Sequence, residues 1–223
     1  WNNAYKLGLV SIGAFLITKG NTLIASKYLN LEIVAQYGLT LQIVTMVSTV
    51  SSIFFRAYLP KFNSHRMTND IEGLKRDYGM SLIIFNSVFI IGVSILLLFG
   101  NIILYYIGSN TLLLSNSYLF ILLLIIFLET NHSNCATLIT TKNEVPFVMS
   151  SLLSGVGVLL TGLIAVKYLE AGVLGLILAQ GFVQLMYNNW KWPKVVFNEL
   201  NSTYFKIIKV GAVEWIKAIK LNI

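Results

Sequence analysis

The chain has 223 residues, of which 56% are hydrophobic and 11% charged, and its mean hydropathy is +0.75. Soluble domains carry about a quarter charged residues, so this composition excludes an ordinary soluble enzyme or binding domain and points to an integral membrane protein. A net charge of +7 and a pI near 9.4 raise nucleic acid as a partner. The basic residues instead crowd between apolar runs, where they orient spans and meet anionic headgroups, so membrane lipids and no nucleic acid are expected.

The apolar runs predict an all-α protein with six crossings, near 7–29, 34–59, 79–99, 112–140, 145–167 and 171–190. These form one transmembrane lobe over 1–192, followed by a cytoplasmic basic amphipathic tail at 193–223. The sequence opens on Trp1 without a signal-like core and reads as part of a longer chain. Its first run carries Lys19 near mid-span, with Ser11, Thr18, Asn21 and Thr22 close by. A lysine at that depth costs about 2.5–3.5 kcal/mol and cannot easily reach an interface, so Lys19 is expected to touch a substrate or to pair with Glu129 or a helix carbonyl.

On the second run Gln42, Thr45, Thr49, Ser52 and Arg56 recur at steps of three and four, which lines them along one helix face. Arg56 sits near the end of that run, where it also serves as a topology anchor. The connection that follows gathers Lys61, Arg66, Lys75 and Arg76 with Asp70, Glu72 and Asp77, and its end continues helically into the third run. That third run carries only Ser81, Asn86, Ser87 and Ser94 and looks peripheral, and 101–108 reads as an interfacial turn of helix.

The fourth run decides the character of the chain. From Leu112 it is apolar enough to cross a bilayer, and then it turns polar without a breaker through Glu129, Asn131, His132 and Asn134 to Thr140. Such groups facing acyl chains are costly, so this half must line a hydrated cavity or a protein interface. Glu129 and His132 lie one turn apart, within reach to share a proton, and are candidates for ion coupling. The fifth run offers Ser151, Gly155 and Gly162 for close packing, and the sixth offers Gly172, Gly175 and Ala179. The sixth also repeats a polar stripe at Gln180, Gln184 and Asn188.

Pro60, Pro146 and Pro193 are placed at segment ends. Lys142, Lys191 and Lys194 join the basic second connection on one side, so both termini of the chain are expected in the cytoplasm. In the tail Lys206, Lys209, Lys217 and Lys220 share one helical face, and Phe205, Ile208, Trp215 and Ile219 another, the pattern of a helix on the inner leaflet. With one cysteine and two histidines there is no metal-ligand cluster, phosphate loop or nucleophile triad, so no catalytic residue, metal or cofactor is expected.

Four stretches carry a likeness to a known family: GAFLITKGNTLIASKYLNLEIVAQYGLTLQ at 13–42, the YLPKFN to GLKRDYG connection at 58–79, NHSNCATLITTKNEVPF at 131–147 and LGLILAQGFVQLMYNNWKWP at 174–193. In these the chain resembles the polysaccharide-exporting flippases, the oligosaccharide-lipid branch of the superfamily that includes the multidrug and toxin extrusion transporters. The resemblance implies two six-helix lobes around a central cavity, of which this chain is the second, with a preceding lobe outside the sequence. It further implies a substrate, undecaprenyl diphosphate-linked oligosaccharide, turned across the bacterial cytoplasmic membrane. Lys19 departs from the family pattern, where an uncharged or acidic residue is expected. The diphosphate would need Lys19 and Arg56, and the sugar hydroxyls would need Gln42, Asn131, Gln180, Gln184 and Asn188. The competing readings are a cation-coupled multidrug exporter that uses Glu129, a membrane-embedded glycosyl or acyl transferase that pairs His132 with Glu129, and a lobe kept only as a scaffold.

Overall fold

The computed structural model describes residues 2–221, with the side chains of Asn2, Ala218, Ile219 and Leu221 outside the description; the Ile219 position in the tail stripe therefore lies outside the described residues. Among the described residues the chain is helical throughout: α1 Asn2–Tyr28, α2 Leu31–Arg56, α3 Leu59–Met67, α4 Ile71–Tyr106, α5 Asn116–Thr140, α6 Val148–Lys167, α7 Gly172–Met186, α8 Asn188–Glu199 and α9 Tyr204–Leu221. Among the described residues five stretches are long and apolar enough to cross a membrane: Asn3–Tyr28, Leu31–Met67, Ile71–Tyr106, Asn116–Thr140 and Val148–Lys167.

Local chemistry sets the ends of these helices. The Asn30 side chain accepts from the Ile33 amide at 2.8 Å and starts α2, and the Asp70 side chain accepts from the Gly73 amide at 2.8 Å and starts α4. From that cap α4 runs unbroken through 101–106, so the interfacial turn of the sequence reading is simply its last turn.

Three other boundaries differ from the sequence reading. The fourth run becomes helical only at Asn116; ahead of it the amide of Leu113 is taken by Asn101 Oδ1 and that of Leu114 by Thr40 Oγ1, both at 2.9 Å, which ties the non-helical 112–115 to α4 and α2. The sixth run is broken at Tyr187 (φ −144°, ψ −62°). At about 1.5 Å per residue α7 alone spans roughly 22 Å, short of the ~30 Å hydrocarbon core. Pro193, read as a segment end, lies inside α8.

Two apolar cores occupy opposite ends of the bundle. One gathers Tyr37, Val44, Leu96, Leu119, Leu122 and Leu176; the other gathers Phe55, Phe62, Tyr78, Leu138, Phe147 and Trp192. Along α5 they meet on either side of the polar residues between Phe127 and Asn134. The second core is capped by charge. Arg66 pairs with Glu199, Lys142 reaches Glu199 at 3.3 Å, and Asn3 donates to the Asn143 carbonyl at 2.9 Å. These contacts bring the start of α1, α3, the α5–α6 turn and the end of α8 to one basic end.

The tail helix α9 lies antiparallel against α4. Its Gly211 backbone meets that of Gly79, an approach any side chain at either position would block, and Asn86 donates to the Tyr204 hydroxyl at 2.8 Å. Buried Ile207 completes this contact, and Phe205 and Trp215 stay exposed beside the lysines.

Candidate functional site

The wet faces read from the sequence converge only in part, and where they do they form a cleft. Its deeper cavity, ≈ 270 Å³, is bounded by Ala14, Ile17 and Thr18 of α1, by Thr45, Ser48, Thr49, Ser52 and Arg56 of α2, by Ile126, Glu129, Thr130, His132 and Ser133 of α5, and by Gln184 of α7. A second cavity, ≈ 350 Å³, continues toward the basic end between α1, α5, α6 and α8, past Thr137, Thr140, Ser151, Asn188 and Trp192. The two share Ala14, Ile17, His132, Ser133 and Gln184.

At the inner end of the cleft sits Glu129. Gln180 Nε2 donates to both of its carboxylate oxygens, at 2.9 and 3.0 Å. A relay fixes that orientation. The Leu176 carbonyl can only accept, so it holds the Asn21 amide nitrogen at 3.1 Å; the same nitrogen donates to Gln180 Oε1 at 3.2 Å and leaves the Gln180 nitrogen for Glu129. Asn21 and Gln180 are buried. No Lys, Arg or His forms an ion pair with Glu129 among the described residues.

His132 faces the same cleft but is held separately, with Nδ1 donating to Asn189 Oδ1 at 2.7 Å. Glu129 and His132 thus have different amide partners, which leaves neither bonded to the other. Across the cleft Thr130 donates to the Ile126 carbonyl at 2.6 Å and takes a hydrogen bond from Ser48 at 2.7 Å, which ties α2 to α5. Gln184 and Asn188 form a second chain: Asn188 donates to Ser154 at 2.8 Å and to Gln184 Oε1 at 2.9 Å, and it accepts from Trp192 Nε1 at 2.9 Å.

Of the residues expected at the site, Arg56, Gln184, Glu129 and His132 line the deeper cavity, Asn188 lines the outer one, and Gln180 supports Glu129 from behind. Gln42 is exposed, one turn along the α2 stripe from Thr45 and past the cavity wall. Asn131 lies about 200° around α5 from both Glu129 and Ser133, on the far side of the helix, and its Oδ1 is buried without a partner. Lys19 is exposed, turned about 100° around α1 from cavity-lining Thr18, and is not paired with Glu129.

The sequence reading passed over Ser48, Ser133, Thr137 and Tyr37. The first three are legible as hydroxyls on the same faces as Ser52, Glu129 and Thr140; Tyr37 carries no such signal, being a fully buried aromatic of the first core beside Asn21. Comparison with protein-family models, with curated proteins and with solved structures finds no match.

Proposed function

We propose that this chain is a six-crossing lobe of a bacterial inner-membrane flippase, which turns undecaprenyl diphosphate-linked oligosaccharide to the outer leaflet for surface polysaccharide synthesis. The observation that carries the reading is the cleft, where a carboxylate, an imidazole, an arginine and a row of hydroxyls converge inside helices otherwise apolar enough to span a bilayer. On this reading α7 and the first turn of α8 make the sixth crossing. Both ends of the chain lie on the cytoplasmic side with Arg56, Lys142 and Lys194, as the positive-inside bias favours.

A diphosphate entering a low-dielectric region needs a hydrogen-bonding cation, and Arg56 is the arginine in the cleft wall. Cavities of ≈ 270 and ≈ 350 Å³ are too small for an oligosaccharide. The glycan would therefore pass between this lobe and a companion lobe, against the flank of α2 that exposes Gln42 and Thr49. The multidrug-exporter reading keeps one supporting feature, the acid at the bottom of the cleft.

The test is Arg56→Lys beside Arg56→Ala in the producing cells. Lysine preserves the topological charge but not the fork geometry. Both variants should insert normally and lower surface polysaccharide about tenfold or more, the scale of one lost hydrogen bond to a charged group. Undiminished export in Arg56→Ala would overturn the assignment, and loss of drug resistance with intact polysaccharide would favour the multidrug exporter.

A further inference from the structure

We propose that the outward face of α1 is a docking surface for another transmembrane helix, one that carries a carboxylate opposite Lys19 inside the bilayer. The proposal needs only that α1 spans a membrane, so it stands or falls apart from the flippase reading.

Three faces divide α1. Gly13 and Gly20 pack it on α6, where added side chains would strike Ser151 and Leu159, and Thr18 borders the cleft. A third stripe, Ile12, Phe15, Lys19 and Leu23, recurs at steps of three and four and lies about 100° around the helix from each of the other two. All four residues are exposed, and each apolar one by more than half. That spacing is the one on which a second helix seats.

Depth makes Lys19 the informative member. It lies roughly 24 Å of helix from Asn3 and 14 Å from Tyr28, the ends of the span, and helical side chains lean toward the N-terminus, here the longer way. A lysine side chain covers neither distance, so the ammonium reaches neither interface nor the headgroup phosphates that stay there. The hydroxyls nearby need nothing from outside. Ser11 donates to the Leu7 carbonyl at 3.0 Å, Thr18 to that of Ala14 at 2.9 Å and Ser26 to that of Leu23 at 2.9 Å.

Lys19 alone is left over, with no ion pair among the described residues. Charges at this depth pair with one another or face water-filled cavities, and Lys19 lines neither cavity of the cleft. Phe15 and Leu23, one turn away on either side, are apolar, which suits a packed helix and not a hydrated diphosphate or sugar. Glu129 is already met by Gln180 on the cleft side. The acceptor that completes this face is therefore an Asp or Glu on a further helix packed along the stripe.

A benzophenone side chain placed at Phe15 of the full-length protein, activated by light in the producing cells and followed by mass spectrometry, tests this. The expected adduct is a peptide from an apolar helix with Asp or Glu near its middle. Lys19→Glu should lower that adduct about tenfold or more, because like charges then face each other, and exchanging the partner's acid for lysine should restore it. Should Lys19→Glu fail to insert, Lys19→Gln leaves the acid unpaired and should lower the adduct about fivefold or more. A phospholipid or a lipid-linked glycan as the sole adduct overturns the docking surface. So does a helix with no acid within a turn of the contact, or a second copy of this chain, whose Glu129 faces its own cleft. An adduct indifferent to the charge at Lys19 overturns the pairing.

Discussion

The polar network at mid-bundle and the one at the basic end solve the same problem with different chemistry. Around Glu129 one charge is met by neutral amides, in the order Leu176 carbonyl, Asn21, Gln180. At the basic end charges meet charges: Arg66 and Lys142 both take Glu199, and His65 lies between Asp70 and Asp77 at 3.0 and 2.9 Å. Near water an ion pair costs little to assemble and contributes little. At depth each added ion carries a desolvation cost that its partner does not reliably return. A single carboxylate held by amides can therefore change charge without leaving a bare partner behind, which the basic end cannot do.

That contrast can be broken by removing one member from each network. Gln180→Leu takes the donor from a buried charge and should cost about 1–3 kcal/mol, read as a lower thermal midpoint in detergent; most of the loss should vanish in the Gln180→Leu/Glu129→Gln double variant. Arg66→Ala at the basic end leaves Glu199 still met by Lys142, so no bare charge remains and the cost should be about 1 kcal/mol or less. If Arg66→Ala proved the costlier of the two, the division between depth and end would fail.

The smallest effect concerns Asp70, outside the spans. The Gly73 amide holds its carboxyl below the ordinary 3.8, with His65 and Arg76 adding to the shift. Its folded value is depressed, so its support for the start of α4 is complete above 3.8 and is lost as pH falls through the lower value. Amide exchange at Gly73 should quicken in that acid window and should already be fast in Asp70→Ala at neutral pH.

Much of this organisation is legible in the sequence, and the failures have physical causes. Thr45, Thr49, Ser52 and Arg56 announce their shared face because a helix repeats every 3.6 residues and nothing interrupts α2. The same rule separates Lys19 from Thr18, since adjacent residues on a helix point about 100° apart; grouping them by proximity in sequence is what misplaces the lysine. Nothing local marks the capture of the Leu113 and Leu114 amides by Asn101 and Thr40, because it depends on neighbours distant in sequence. In the tail the alternation of lysine and apolar residues predicts a helix, but it hides that Gly211 fits the backbone of Gly79.

The most direct test compares the two faces of α2. Thr45, Thr49 and Ser52 border the polar cleft, whereas Met46, Val47 and Val50 line an apolar groove against α4 that contains Val88, Ile91 and Gly92. Single cysteines at these six positions, in vesicles with buried Cys135 as background, are treated with a small charged thiol reagent that does not cross lipid. Rapid labelling of the first three and none of the second three is the predicted result. Equal labelling of both faces, or of neither, would contradict a hydrated cleft inside this bundle.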